Sequence, residues 1–293
     1  MSVREHLLPL PDGRQLTGTS SGPEGGRPVL FVAGAATGKT MRFGLDALGV
    51  LGVRLITMDR PGMEGSSDHM MRDVWSTAQD YQSFVNCVLG EDRPVPVVAN
   101  SQGGIFGVAA AVTGWASRLV LVSPADEVAD PRIRGLLAPH AAALAELVET
   151  DPAEAASLFA SFGPREMEQM ILESASDEDR RVYSSRDFVD MYRRALEEGF
   201  ANDGAGYVRD TLLAMGRWDL PLGAIKRPVD ILVGAKDLGH SPDQSETLAS
   251  RIPTANRKLI AGAGGALLWT HAEMVLRYAL ADGDDAVGVN RSI

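Results

Sequence analysis

The chain has 293 residues, of which 45% are hydrophobic and 23% are charged, an ordinary composition for a soluble globular protein. Its formal net charge of -11 argues against nucleic-acid partners, because a phosphate backbone would be repelled. The single cysteine, Cys87, allows no intramolecular disulfide, and neither a signal segment nor an apolar run of the ~20 residues needed to span a membrane is evident. We therefore expect a cytoplasmic monomer or homodimer without a membrane partner.

The first predicted elements form a hairpin at the edge of a sheet. The runs His6–Leu10 and Gln15–Thr19 flank Pro11-Asp12-Gly13-Arg14, which is a strong turn signal. Short buried runs then alternate with longer helical patterns, which indicates a mostly parallel sheet flanked by helices, the α/β class. The runs that predict these further strands are Pro28–Val32, Arg54–Met58, Val95–Ala99, Arg118–Val122, Val229–Val233 and Arg257–Ile260.

Between Pro124 and about Ala205 the strand pattern stops and helical spacing replaces it. Helices inserted between two strands of one sheet are typical of a lid over the edge of that sheet. We therefore predict an α/β core from residues 1–123 and 206–293, with a helical cap at 124–205. The acidic run Ser176–Asp179 within the cap is interpreted as a solvated turn. The predicted cap helices are Leu136–Val148, Pro152–Phe162, Arg165–Ser174 and Arg186–Glu198.

A candidate nucleophile follows the strand Val95–Ala99. The sequence Asn100-Ser101-Gln102-Gly103-Gly104 leads into an Ala-rich helix and gives the pattern G-x-S-x-G, with Ala99 in the first glycine position. A strained strand–turn–helix elbow needs small residues two before and two after its serine. Ser101 is therefore the predicted nucleophile, although a plain turn with serine as a helix N-cap is the simpler alternative.

With this elbow the sequence resembles the α/β-hydrolase superfamily, in its lidded esterase, thioesterase and C–C hydrolase branch, over nearly the whole chain. Asp59–Ser67 is similar to the family's D-x-x-G-x-G-x-S loop. Val32-Ala33-Gly34-Ala35 is similar to its H-G-x loop, with Ala33 in the histidine position. The resemblance implies that the backbone N–H groups of Ala35 and Gln102 form an oxyanion hole.

The resemblance also locates the triad acid and the position of its base. Asp237 follows the strand Val229–Val233 in the family's G-x-x-D pattern. The family's histidine follows the next strand, and this chain has Gly265 there. That alignment rests on Thr270-x-x-Glu273, interpreted as a capping box that starts the last helix near His271. A structural role is expected for each of the five histidines, His6, His69, His140, His240 and His271, and only His240 and His271 stay open as substitute bases.

Without a base a serine attacks slowly, so the chain is predicted to be an impaired, hydrolase-like enzyme. Three hypotheses follow from that prediction. The chain is an inactivated variant of a hydrolase, a natural non-hydrolytic homologue that catalyses elimination, cyclisation or lyase chemistry, or a non-catalytic binder.

The apolar residues of the cap predict a hydrophobic ester, thioester or polyketide-like substrate. Gly34, Arg60, Phe159, Phe162 and Tyr192 are the predicted substrate contacts, and Arg60 is placed to meet a carboxylate. No cofactor or metal is expected, because no group of His, Cys, Asp and Glu has the spacing of a metal site.

A rival motif overlaps the predicted oxyanion loop. Ala33-x-x-x-x-Gly38-Lys39-Thr40 satisfies a loosened P-loop pattern, in which Lys39 would reach phosphates and Thr40 would hold Mg²⁺. The pattern lacks its first glycine, and a P-loop fold has no place for the elbow, the acid loop or the cap. A nucleotide-binding protein is therefore the less favoured alternative.

Overall fold

A hairpin forms one edge of the central sheet. The computed structural model describes residues 3–237 and 239–281. In it β1 (Val3–Pro9) pairs antiparallel with β2 (Gln15–Ser21), and β2 pairs antiparallel with β4 (Val53–Met58). The predicted edge hairpin is confirmed.

The rest of the sheet is parallel, as predicted. The eight strands lie in the order β1-β2-β4-β3-β5-β6-β7-β8, and every neighbouring pair from β4 to β8 runs parallel. Apolar residues cover both faces of the central strands, which explains why the sequence shows these strands as continuous apolar runs. The remaining strands are β3 (Arg27–Val32), β5 (Val95–Ser101), β6 (Ala116–Pro124), β7 (Val229–Gly234) and β8 (Ala255–Ile260).

Helices cover both faces of the sheet and create two hydrophobic cores. One core joins α2, α3 and one face of the sheet, and the other joins α1, α13 and the opposite face to the helices inserted after β6. The core helices are α1 (Leu45–Leu51), α2 (Val74–Leu89), α3 (Gly104–Thr113), α10 (Ala205–Met215), α11 (Glu246–Arg251), α12 (Leu267–Thr270) and α13 (Ala272–Leu280). None of the helices in the described part of the chain is long and apolar enough to cross a membrane.

The stretch between β6 and α10 is helical. The four predicted helices are present within a few residues of their predicted ends, and two short ones, α4 and α8, accompany them. We call this stretch the cap; its division from the core at residues 124 and 205 stays a prediction. Its helices are α4 (Pro131–Arg134), α5 (Pro139–Thr150), α6 (Pro152–Ala160), α7 (Pro164–Ser174), α8 (Asp177–Tyr183) and α9 (Arg186–Gly199).

Two local predictions are wrong. The run Ser176–Asp179 is not a solvated turn, because Ser176 caps α8 by accepting a hydrogen bond from the Asp179 N–H, and the Asp179 side chain is buried. Thr270 is not a helix cap either. The Thr270 hydroxyl donates back to the carbonyl of Ala266, the residue before α12, so the predicted capping box is absent. The start of the last helix near His271 is nevertheless as predicted, because α13 begins at Ala272.

Candidate active site

Ser101 occupies a strained position at the end of β5. Its φ is 50°, in the left-handed region that side chains other than glycine rarely adopt, and α3 begins three residues later. Gly103 packs so closely on the carbonyl of Ala33 that a Cβ there would overlap it. The neighbouring Asn100 side chain donates to the Val122 carbonyl at 2.8 Å, which ties the turn to β6. The strand–turn–helix elbow therefore has the predicted geometry and leaves Ser101 partly exposed.

The loop after β3 lies directly beside this serine. A Cβ on Gly34 would come 3.3 Å from the Ser101 Cβ, so a side chain at Gly34 would crowd Ser101. Within residues 3–237 and 239–281, the backbone N–H groups of Ala35 and Gln102 donate no hydrogen bond to another protein group. Backbone N–H donors without an acceptor are the groups that can bind a developing oxyanion.

The side chain of Arg60 holds the loop after β3 in position. It is 1% exposed and forms an ion pair with Asp210, which also binds Arg72. The same guanidinium donates to the carbonyls of Ala33 at 3.0 Å and Gly34 at 2.9 Å. We therefore correct the sequence prediction for Arg60. Because the guanidinium is buried and already bonded, it positions the loop and does not face a substrate carboxylate.

The P-loop hypothesis is wrong for a similar reason. Lys39 donates to Asp59 at 2.9 Å and Glu64 at 2.6 Å, and Thr40 donates through its hydroxyl and its N–H to Glu198 of α9. Burial alone lowers the pKa of Lys39, but these carboxylates raise it above its ordinary value. Negative charge thus surrounds the lysine and would repel phosphates. The next helix, α1, starts only after Gly44, so no helix N-terminus faces Lys39.

Asp237 and His240 form a pair in the loop after β7. The His240 Nδ1 lies 3.0 Å from both carboxylate oxygens of Asp237, and the N–H of Gly239 donates to the same carboxylate at 3.2 Å. Asp237 is buried, while 26% of the His240 side chain is exposed. The predicted triad acid therefore holds an imidazole, and that imidazole belongs to His240.

The electrostatics of the pair fix the tautomer of the imidazole. Burial raises the pKa of Asp237, but the hydrogen bond and charge of His240 outweigh burial and lower it to about 2. A carboxylate that is ionised at neutral pH only accepts hydrogen bonds, so Nδ1 of His240 is the donor. Nε2 of the neutral ring then carries a free lone pair and can accept a proton.

Gly265 faces this pair. A Cβ built on Gly265 would lie 3.0 Å from Cε1 of His240 and 3.6 Å from an oxygen of Asp237. The position predicted for the family's histidine thus points at the acid, and the last helix, α13, begins beside His271 as predicted. The ring of His240 fills the space in front of Gly265. In sequence, the only sign of this was the three-residue spacing of Asp237 and His240.

His271, the other histidine left open, lies at the bend between α12 and α13. Its Nδ1 is 2.8 Å from the Thr270 hydroxyl. The structure shows no bond between it and Asp237 among the described residues. It therefore has the structural role of a residue that joins two helices.

Sequence analysis missed one residue of this region, Asp179 in α8. Its carboxylate accepts hydrogen bonds from the N–H groups of Gly265 and Ala266, both at 2.9 Å. The available signal was Ser176-x-x-Asp179, the start of a capped helix, which was outweighed by the charge of the run.

The predicted aromatic contacts lie in the cap. Phe159 and Tyr192 are 6% and 5% exposed, and Phe162 is half-buried. Tyr192 stacks on Phe188 with ring centres 5.5 Å apart, and Phe162 stacks on Tyr207 at 6.3 Å. Among the described residues the Tyr192 hydroxyl has no hydrogen-bond partner. Contact between these side chains and a substrate stays a prediction.

Comparisons with known proteins identify the family and the fold of the chain. A model described as the Alpha/beta hydrolase family matches residues 29–278. No curated protein matches the chain significantly. Similar solved structures include a hydrolase from Pseudomonas aeruginosa, with 21% identity over 95% of this chain and 98% of that chain and a TM-score of 0.61. A thermophilic esterase from Thermogutta terrifontis has 19% identity, 95% and 100% coverage and a TM-score of 0.65. An enol-lactonase from Burkholderia xenovorans has 18% identity, 94% and 100% coverage and a TM-score of 0.66. At these identities the structures show a shared fold.

Proposed function

Because the chain belongs to the alpha/beta hydrolase family, we propose that it is a serine hydrolase with a relocated base. Ser101 is the nucleophile, His240 is the general base and Asp237 orients that base. The N–H groups of Ala35 and Gln102 stabilise the oxyanion. In this proposal the chain keeps its base despite the glycine at position 265, because His240 in the loop after β7 supplies the imidazole.

The observation that carries the proposal is the bond between His240 and Asp237. It directs Nδ1 to the acid at 3.0 Å and leaves Nε2 as the acceptor. The ring also lies against Gly265, where the family's own histidine would begin. An imidazole bonded to a carboxylate in this way is the acid–base pair that a serine hydrolase uses, which supports the proposal.

The reaction follows from these roles. Ser101 Oγ attacks the carbonyl carbon of the substrate and transfers its proton to Nε2 of His240. The carbonyl oxygen becomes an oxyanion that accepts hydrogen bonds from Ala35 and Gln102. The imidazolium, stabilised by ionised Asp237, then protonates the departing alcohol or thiol, and an acyl-enzyme is formed. Water, deprotonated by His240, hydrolyses the acyl-enzyme and frees Ser101.

We assign the substrate to the class of hydrophobic esters and thioesters. Aromatic side chains of the cap, Phe159, Phe162 and Tyr192, supply apolar surface, and the buried Tyr192 hydroxyl offers a polar contact. Because Arg60 is engaged elsewhere, no buried cation is assigned to a substrate carboxylate. The neighbouring structures of an esterase and an enol-lactonase support ester or lactone chemistry on this fold.

The test compares three variants on p-nitrophenyl butyrate. We expect Ser101→Ala and His240→Ala each to lower kcat/KM by at least about 10³-fold, because each removes a group that acts in the transition state. His271→Ala is the matched histidine control and should leave kcat/KM within about twofold of the parent chain, since its ring bonds only to Thr270 locally.

Other outcomes separate the remaining hypotheses. If the parent chain turns over no ester, the chain is an impaired hydrolase, a catalyst of non-hydrolytic chemistry or a non-catalytic binder. If Ser101→Ala retains full activity on a folded protein, the assignment of the nucleophile is wrong.

A further inference from the structure

Helix α8 brings a buried carboxylate from the cap to the loop after β8. Three acidic residues open this helix, and they differ in environment. Asp177 is exposed and Glu178 pairs with Lys236 at the surface, whereas Asp179 is only 5% exposed. A buried carboxylate is costly unless it is hydrogen-bonded, so the partners of Asp179 identify its role.

The partners of Asp179 are backbone groups of the loop that contains Gly265. The two oxygens accept from Gly265 N–H and Ala266 N–H, each at 2.9 Å, and the Ser176 hydroxyl adds a bond at 2.8 Å. A Cβ on Gly264 would overlap the carboxylate. The loop therefore needs glycine at position 264 for this contact, and the contact fixes the backbone of Gly265.

The loop that Asp179 fixes also borders the ring of His240. Gly265 lies against the imidazole, and the charges of Asp237 and Asp179 both act on that ring. Of the other groups nearby, Tyr183 of α8 stays neutral, because burial and these two carboxylates raise its pKa. Lys236 is turned to the surface and is paired with Glu178. The charges of one carboxylate from the core and one from the cap thus act on the imidazole.

We propose that Asp179 is a positioning residue for the base. It holds the Gly264–Ala266 backbone so that His240 fits between Gly265 and Asp237, and it provides a second negative charge that favours the imidazolium. The inference rests on the proposed function, in which His240 is the base. It makes the base dependent on the docking of the cap, because α8 supplies the carboxylate.

The test replaces Asp179 by asparagine, which keeps the shape but removes the charge and one of the two acceptors. The matched control is Asp177→Asn, which removes the same charge from an exposed position of the same helix. Two quantities are measured for each variant: the titration of the His240 ring by NMR, assigned by comparison with His240→Gln, and the pH profile of kcat/KM on p-nitrophenyl butyrate. Circular dichroism verifies the fold.

We expect Asp179→Asn to move the His240 titration and the acid limb of kcat/KM to lower pH by equal amounts. The maximum of kcat/KM should fall roughly 10- to 100-fold, because the base is held less accurately. Asp177→Asn should leave both curves in place. A folded Asp179→Asn with an unmoved titration would show that Asp179 only anchors the cap and would overturn the proposal, as would equal shifts in both variants.

A second variant and a measurement that needs no turnover separate the possible explanations of the result. If Asp179→Asn does not fold, Gly264→Ala decides between the same outcomes, since its methyl group displaces the carboxylate without removing any charge from the chain. The NMR titration needs no turnover. If Ser101→Ala hydrolyses the ester as fast as the parent chain, the proposed function fails while the titration still decides the role of Asp179.

Discussion

Gly265 and His240 are in contact, and the contact depends on the absence of a side chain at Gly265. A Cβ there would lie 3.0 Å from Cε1 of the ring, closer than nearly all real contacts of a methyl group. The φ of Gly265 is outside the left-handed region, so alanine would be acceptable to the backbone and would act only through this contact. Gly265→Ala therefore probes the position of the imidazole.

We expect Gly265→Ala to lower kcat/KM roughly tenfold, because the ring must shift by a few tenths of an ångström away from its working position. The measurement is ester hydrolysis beside thermal unfolding. Gly49→Ala is the control, since nothing lies within 4 Å of a Cβ at Gly49. An unchanged kcat/KM in Gly265→Ala would mean that the position of the His240 ring does not matter for turnover.

The contact between Gly265 and His240 also predicts that the catalytic imidazole can be moved from the loop after β7 to the loop after β8. Gly265→His alone should not raise kcat/KM, because its imidazole would compete with His240 for one space. In the double variant His240→Ala, Gly265→His that space is empty, and the new ring starts 3.6 Å from an oxygen of Asp237. We expect the double variant to exceed His240→Ala in kcat/KM by about 10²-fold or more. A rise in Gly265→His alone would instead indicate that the parent chain lacks a working base.

These relationships show what the sequence predicts well and what it does not. The central strands are visible as apolar runs, because both of their faces are buried. The edge hairpin is visible through its turn residues instead. The elbow at Ser101 is visible because its small neighbours are adjacent in sequence. The partner of Arg60 is Asp210, 150 residues later, and no local pattern connects them. Asp179 was misjudged because burial of a charge depends on the donors that the fold brings to it.

In the proposed mechanism the pH dependence of kcat/KM reports on His240. Burial lowers the pKa of its ring, but the bond to Asp237 and the charges of Asp237 and Asp179 raise it above the ordinary 6.5. Because only the neutral ring accepts a proton, kcat/KM should fall as the pH drops through this raised pKa, with half of the maximum reached above pH 6.5.

Asp237→Asn tests the sign of that effect. It removes the largest favourable interaction of the imidazolium, so the acid limb should move to lower pH. The maximum should also fall by about 10⁴-fold, because the ring loses the partner that sets its tautomer. If the acid limb of the kcat/KM profile stays at the same pH in Asp237→Asn, the group that titrates there is not His240.

The buried network of Arg60, Asp210 and Arg72 should make a large contribution to the unfolding free energy, because it holds the loop after β3. Each of the three side chains is at most 1% exposed. Asp210→Ala would leave two buried guanidinium groups without their carboxylate, which costs about 3 to 5 kcal/mol of unfolding free energy. Urea unfolding measures this loss. The control is Glu273→Gln, which breaks an exposed pair with Arg277 and should cost about 0.5 kcal/mol or less.

A close contact between the cap and the loop after β3 lies at Gly199, the last residue of α9. A Cβ on Gly199 would overlap the carbonyl of Ala36, whose φ of 50° is also in the left-handed region. Gly199→Ala must push the loop aside, so we expect a loss of about 1 to 3 kcal/mol in unfolding free energy. Ala35 precedes the displaced residue, so its N–H should move as well. We therefore expect kcat/KM to fall even under conditions in which the variant is fully folded. Gly49→Ala again serves as the control. Full activity in a folded Gly199→Ala would indicate that the Ala35 N–H does not bind the oxyanion.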